Sequence, residues 1–534
     1  MMPRYWIAPI AAALGVAAAA GCATRSAEIR PTPASAAIPP ELVEVESSFA
    51  AAAPGDPAIR PASDEAAADA SIALAPAAAT PPPIPEATPP RLIDLSSALR
   101  LADGQNPVIG EARVLILAAL AQRTAARSLL LPSLNAGLNY HDHVGPQQRS
   151  VGTILPLTEQ SFYYGGGTNT LGANTIAIPA VNIASPLTDA IFEPLAAQQR
   201  VVGTRFNAAA TANSTLLDVA RLYLDLVGNE AVLAIRRELA VEADRIASEV
   251  AAYAETGQGR HSDAERADAD RRLFQAAIQR AEEDAFVSSA QLAERLTLDP
   301  SSRLRPVAGP IEPVELIDAN APVELLIRSA MARRPDLSAR DALAMEAQYL
   351  AHREKARPFL PTIWLGFSAG SFGGGSDLVT PDLGRYDGRT DFDVRAYWTL
   401  LNFGVGNSAL IKQRNARFNQ ALAERTRVLN QIRDEVATAR AESLAARSRV
   451  EVARIGLRTA EDGYRQDRDR LRETVGRPIE ALDSLRLLAD ARVALVRAII
   501  ATDRAQFALF VSLGAPPPLD VPLDGHAPGL PPTQ

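Results

Sequence analysis

Leu131-Pro132-Ser133-Leu134-Asn135-Ala136-Gly137-Leu138-Asn139-Tyr140 is answered 229 residues later by Leu360-Pro361-Thr362-Ile363-Trp364-Leu365-Gly366-Phe367-Ser368-Ala369. In each stretch proline ends a helical run, because it lacks the N–H that continues the ladder. Apolar residues then alternate with polar or small ones. Leu134, Ala136, Leu138 and Tyr140 alternate with Asn135, Gly137, Asn139 and His141, and Ile363, Leu365, Phe367 and Ala369 alternate with Trp364, Gly366 and Ser368. A period of two predicts strands with one side against lipid or core and the other against water.

Landmarks on either side keep a similar spacing. Leu95-Ser96-Ser97-Ala98-Leu99 and Asn106-Pro107 correspond to Leu325-Leu326-Ile327-Arg328-Ser329-Ala330 and Arg334-Pro335, the prolines 228 residues apart. Tyr253 and Tyr464 are 211 apart, and Leu296-Thr297-Leu298-Asp299 precedes Val511-Ser512-Leu513-Gly514 by 215. So many ordered matches predict two copies of one unit. The spacing falls by 18 between the proline and the tyrosine, so the first copy carries an insertion there in a loop-like segment.

Each copy predicts a short helix and a longer one, over Ile109–Leu130 in the first and about Leu337–Arg357 in the second. Strands follow. The clearest has Phe392, Val394, Ala396, Trp398 and Leu400 alternating with Asp393, Arg395, Tyr397 and Thr399. The first copy's return strand is expected near Ile176–Ser185, interrupted by Pro179. Gly165-Gly166-Gly167 and Gly373-Gly374-Gly375 read as loops. A long helical hairpin comes next. No proline occurs from Leu195 to Tyr253, enough for a helix of roughly 90 Å. Leu239, Ala243, Ile246, Val250 and Tyr253, and again Val450, Ala453, Leu457, Ala460 and Tyr464, follow coiled-coil spacing.

One chain thus supplies about four strands, whereas the smallest transmembrane barrels use about eight. Open strand edges cannot face lipid. Several chains must share one barrel, with the helices continuing from it as a tube.

The chain's beginning has a different character. Arg4 and an apolar run from Tyr5 to Ala20 precede Ala19-Ala20-Gly21-Cys22. The run is short for a membrane span and ends in small residues, as a cleaved signal does. Small residues before a lone cysteine resemble the bacterial lipobox, which implies lipidation of Cys22; an ordinary signal peptide with an incidental cysteine is the alternative. Ala23 after the cysteine leans toward the outer membrane. From about Arg30 to Pro90 the chain is rich in Ala, Pro, Ser, Asp and Glu and nearly lacks aromatics, the composition of a disordered tether. The expected division is signal peptide 1–21, anchor and tether 22–91, repeat one 92–300, connection 301–321, repeat two 322–514 and disordered tail 515–534.

The duplicated landmarks, with Trp398-Thr399-Leu400-Leu401-Asn402-Phe403-Gly404, resemble the TolC outer-membrane factor family over about Leu92 to Gly514. The fold class implied is mainly α with a β-barrel part: two internal repeats, each giving two transmembrane strands and long coiled helices. The resemblance further implies a homotrimer with a twelve-strand barrel in outer-membrane lipid and a periplasmic α-helical tunnel. It implies docking to a periplasmic adaptor protein and an inner-membrane efflux pump. It also directs attention to the hairpin tips. Gly257 and Asp263 resemble the family's periplasmic tip, where the aspartate joins a closed-state network. Glu480 and Asp483, after Gly476 and Arg477, match its paired acids at the aperture, and Glu265 and Asp268 occupy the same places in the first copy. Ser262 or Asp263 is a candidate cap for the following helix, and Arg477 a candidate bridge to Asp263. The alternative for every tip acid is a solvated helix start.

The formal net charge of −8 argues against a nucleic-acid partner. His141 and His143 share a strand face without a third ligand nearby, so a metal site is not expected. The triple glycines lack a following Lys-Ser/Thr, and no nucleophile has a recognisable base. No enzyme and no cofactor are expected. The function implied is a passive outer-membrane duct for small molecules in a tripartite export system. The alternatives are the outer duct of a type I protein secretion system and a lipid-anchored periplasmic coiled-coil scaffold or adaptor.

Overall fold

The computed structural model describes residues 90–169, 176–378, 380–473 and 477–518. Cys22, the signal segment, the tether up to residue 89, Gly476 and residues 519–534 lie outside them. The helices are α1 (Leu95–Gln105), α2 (Pro107–Arg127), α3 (Leu187–Glu255), α4 (His261–Arg295), α5 (Val323–Arg333), α6 (Pro335–Ala356), α7 (Val405–Arg472) and α8 (Pro478–Ser512). Their lengths run 11, 21, 69 and 35 residues, then 11, 22, 68 and 35. None of the described helices is long and apolar enough to cross a membrane. α3 begins before the expected start and carries Pro194 within its second turn or so. At 69 residues it extends about 100 Å.

Asn106-Pro107 and Arg334-Pro335 do the same work in the two halves. Each places proline at the first helical residue, where its missing N–H costs no bond. The Asn106 side chain accepts from Val108 N–H at 2.9 Å and donates to the Arg295 carbonyl at the end of α4. Arg334 bonds Asp336 and Glu435 and reaches the Ser512 carbonyl at the end of α8 at 3.3 Å. Each dipeptide therefore fastens a short helix pair to the end of its own hairpin. Around them lies the main core, with Leu99, Ile109, Leu226, Leu296, Leu326 and Phe507 buried. A short parallel pair, β1 (Arg91–Ile93) with β7 (Leu304–Pro306), closes over it.

The other strands are β2 (Ser133–Leu134), β3 (Ala136–Gln148), β4 (Ile154–Asn169), β5 (Ile176–Pro179), β6 (Val181–Pro186), β8 (Thr362–Ser376) and β9 (Thr380–Tyr397). They form four lines, in the order β3, β4, β8, β9, all antiparallel. The expected return strand at Ile176–Ser185 is only half correct. Its upper part is β4, paired along β3 from Gln148↔Ile154 to Ala136↔Gly166. Its lower part is β6, which takes over along β8 where β4 leaves: Gly166 faces Ala369 and Val181 faces Phe367. Between them β4 continues to Asn169 and pairs with β5, Gly167 facing Pro179 and Thr168 facing Ile178. Asn135 pins this departure, donating to the Pro179 carbonyl and Asn182 from its side chain and bonding Ala180 and Gly167 through its backbone. The glycine runs read as loops lie in β4 and β8. Gly167 has φ +87°, and a Cβ there would stand 2.4 Å from the Ile178 carbonyl oxygen, so no other residue fits.

The alternation reads directly as two faces. Leu138, Tyr140 and Val144 on β3 and Phe392 and Val394 on β9 are exposed large apolar residues. The other face carries Asn139, His141, Ser161, Ser368, Asp391 and Arg395, with Arg395 stacked 4.4 Å over the Trp364 ring. β9 ends at Tyr397, so Trp398 and Leu400 fall beyond the strand. Asn402, Phe403 and Gly404 then take three successive left-handed conformations that turn the chain into α7.

Candidate functional site: the hairpin tips

The first tip joins α3 to α4. Gly257 takes φ +75°, the turn expected of it. The cap position is Arg260, with no side-chain cap bond, so neither Ser262 nor Asp263 caps the helix. Asp263 is the third helical residue, its N–H donating to the Arg260 carbonyl at 3.0 Å, and its carboxylate meets the positive end of the helix. At the second tip, Arg477 occupies the cap position of α8 and Pro478 follows. Glu480 turns back so that Arg477 N–H reaches its carboxylate at 3.5 Å, while Glu480 N–H donates to the Arg477 carbonyl at 3.0 Å.

Among the described residues no ion pair joins Arg477 to Asp263. The two tips are joined by Arg486, which bonds the buried Asp270 of α4 and lies 3.5 Å from Asp483. Asp268 is held within its own helix by Arg271 and Arg272, both at 2.9 Å, and these bonds keep its carboxyl below the ordinary range. Glu265 is exposed.

A larger polar cluster, which sequence reasoning missed, lies above the tips between α3 and α7. The Arg468 side chain, 5% exposed, grips Glu249 through two bonds of 2.7 and 2.9 Å and meets Glu242 at 3.1 Å. The Tyr464 hydroxyl donates to Glu242 at 2.5 Å, and Arg245 adds a third bond at 2.7 Å. Burial alone would push Glu242 up, but Tyr464, Arg245 and Arg468 hold it below its usual value. Bonding to Arg468 likewise lowers Glu249 against its burial. The cluster therefore stays ionised through the physiological range. Its signal in the sequence was spacing: Glu242 and Glu249 are seven apart and Tyr464 and Arg468 four apart, so each pair shares a helix face. Beside it, Ile246, Val250, Phe274, Leu471, Leu482 and Leu485 form an apolar seam joining both hairpins. What the arrangement offers chemically is fixed charge and a buried ion-paired contact between the two hairpins.

Residues 326–515 match the outer membrane efflux protein family. The match spans 190 of the 534 residues and is a likeness of that region to the family. The solved structures extend the likeness over most of the chain. A membrane protein from Pseudomonas aeruginosa is 19% identical with a TM-score of 0.65, covering 80% of this chain and 91% of that one. The outer membrane protein VceC of Vibrio cholerae gives 14%, 0.60, 79% and 96%. The open state of the MtrE outer membrane channel of Neisseria gonorrhoeae gives 17%, 0.59, 80% and 90%. A comparison with curated proteins found no match. The matched region thus begins within α5 and includes β8, β9 and the second hairpin, and the shared fold reaches the first hairpin as well. Among the described residues no group of His, Cys, Asp and Glu is placed to hold a metal.

Proposed function

We propose that this chain is one protomer of a homotrimeric outer-membrane channel, the passive outer duct of a tripartite system that exports small molecules. In this reading two copies of one unit each contribute two strands to a twelve-strand barrel. Their helices continue as a periplasmic tunnel that receives cargo from an inner-membrane pump through a periplasmic adaptor, and Cys22 carries the lipid anchor. One observation carries the reading. Four long strands present one apolar and one polar face, and among the described residues β3 and β9 each have one edge unpaired. Such edges need partners in lipid, and copies of the same chain supply them.

The duct closes at the tips. Gly257 allows the first turn, while Asp263, Glu480 and Asp483, with Glu265 and Asp268 behind them, repeat around the threefold as acidic rings, and Arg477 precedes the acids of the second tip. The Arg468 cluster holds one hairpin against the other above these rings.

The test is electrophoresis and conductance of the purified full chain. A trimer that survives detergent, migrates differently after heating and forms channels in planar bilayers supports the reading. A water-soluble form without lipid and without conductance points to the periplasmic scaffold. Loss of fatty-acid labelling in Cys22→Ala tests the anchor.

A further inference from the structure

A cavity of about 570 Å³ lies where the segment after β7 crosses α3 and α8. It stands apart from the gate: Tyr223, on its wall, is 30 residues along α3 from Tyr253, or about 45 Å. Leu95, Tyr223, Val227, Ile311, Ile500 and Phe507 make it apolar. Its charged lining residues are Asp94, Glu312 and Asp503, and no lysine, arginine or histidine is among the described ones. The volume is that of a site for a drug-sized molecule.

Asp503 gives the cavity its chemistry. It is 4% exposed, and its Oδ1 accepts from Val314 N–H at 2.8 Å. Its second oxygen has no hydrogen-bond partner among the described residues. Burial pushes this carboxyl up to about 7 against that single bond. Its neighbours are already engaged. Asp94 accepts from the Ser96 hydroxyl and Ser97 N–H, which hold it below the carboxylate range. Burial raises the Tyr223 phenol to about 12, so it stays neutral. Next along α8, Gln506 is committed to Leu316 and Ile317 N–H and to Ser443 of α7, and the nearby Arg447 of α7 pairs with Glu315. A buried carboxylate without a counter-charge is costly, and a cation inside the cavity removes that cost.

We propose that this cavity is a binding site for an organic cation: an amphiphilic amine whose ammonium pairs with Asp503 and whose apolar body lies against Tyr223, Ile500 and Phe507. A neutral or anionic molecule of the same size gains the apolar contacts but not the ion pair.

The test uses the full chain in dodecyl maltoside and two fluorescent probes, dansylcadaverine and its N-acetyl derivative, which differ in one positive charge. Wild type is expected to bind the amine at least about tenfold more tightly than the neutral probe. Asp503→Asn keeps an acceptor for Val314 N–H and removes the charge, and should bring the two probes to near-equal affinity. Ile311→Trp, on the crossing segment, fills the cavity and should weaken the amine severalfold. Amine affinity should also rise about tenfold from pH 6 to pH 8 as Asp503 ionises. Equal binding of both probes by wild type, absence of binding, or a preference that survives Asp503→Asn would overturn the proposal. If Asp503→Asn fails to assemble, the wild-type preference and Ile311→Trp still decide.

Discussion

Replacing Arg468 with methionine keeps an unbranched apolar stem and deletes the charge that joins α3 to α7. The structure sets the size of the effect. Arg468 makes two bonds to Glu249 and one to Glu242 from a side chain 5% exposed. Removing one partner of a fully buried pair costs about 3–5 kcal/mol. Two features reduce that figure: Glu249 is 35% exposed, and Arg245 remains 2.7 Å from Glu242 and 4.0 Å from Glu249. About 2 kcal/mol per protomer remains. If the hairpins must part for the duct to open, this shifts the opening equilibrium about thirtyfold in each protomer. Single-channel recording in planar bilayers reads the shift as higher open probability or conductance. A cycle with Glu249→Gln isolates the pair, and the coupling should exceed about 0.5 kcal/mol. Unchanged conductance from an intact trimer, or strictly additive single changes, would refute the latch.

The Glu480→Ala/Asp483→Ala double change should reduce cation preference, measured as a shift in reversal potential across a KCl gradient; an unchanged potential removes these acids from the aperture. Gly167→Ala forces a side chain into φ +87° and against the Ile178 carbonyl. It should cost about 1–3 kcal/mol, seen as a lower temperature for trimer dissociation. Asp503 has a folded-state value of about 7, raised from 3.8. Its contribution to stability is therefore complete below about pH 4 and lost as pH rises through 7. The loss is up to about 4 kcal/mol, and Asp503→Asn should show a flatter Tm profile between pH 5 and pH 8.

The strands β3, β8 and β9 were legible because apolar and polar residues alternate cleanly in them, and the helices because prolines mark their limits. The upper return strand β4 was not. Ile154-Leu155-Pro156-Leu157 has no period of two, and Gly165-Gly166-Gly167 has the composition of a loop. Those glycines serve close backbone approach: a Cβ on Gly165 would meet the Gly370 Cα at 2.6 Å, and one on Gly167 the Ile178 carbonyl oxygen at 2.4 Å. At the first tip Gly257 takes the turn expected of it, while the cap falls to Arg260 and not to Ser262 or Asp263; the sequence lists the tip acids. It could not pair them, because pairing depends on how two hairpins pack. Arg486 meets Asp270 across 216 positions, and Arg468 meets Glu249 across 219. Local spacing contains no record of either distance.

The departure of the chain from β4 has a practical side. Between Gly166 and Val181 the chain leaves and rejoins opposite a single residue of β8, Ser368, and the pairing resumes without a slip. Side chains on both sides of the interruption keep their faces, so the sheet does not register how much chain has been spliced in. Such a joint is modular. Chain added between β4 and β5 would leave Asn135, Gly167 and the flanking pairs untouched, which makes that connection a natural port for a reporter on an otherwise unforgiving sheet.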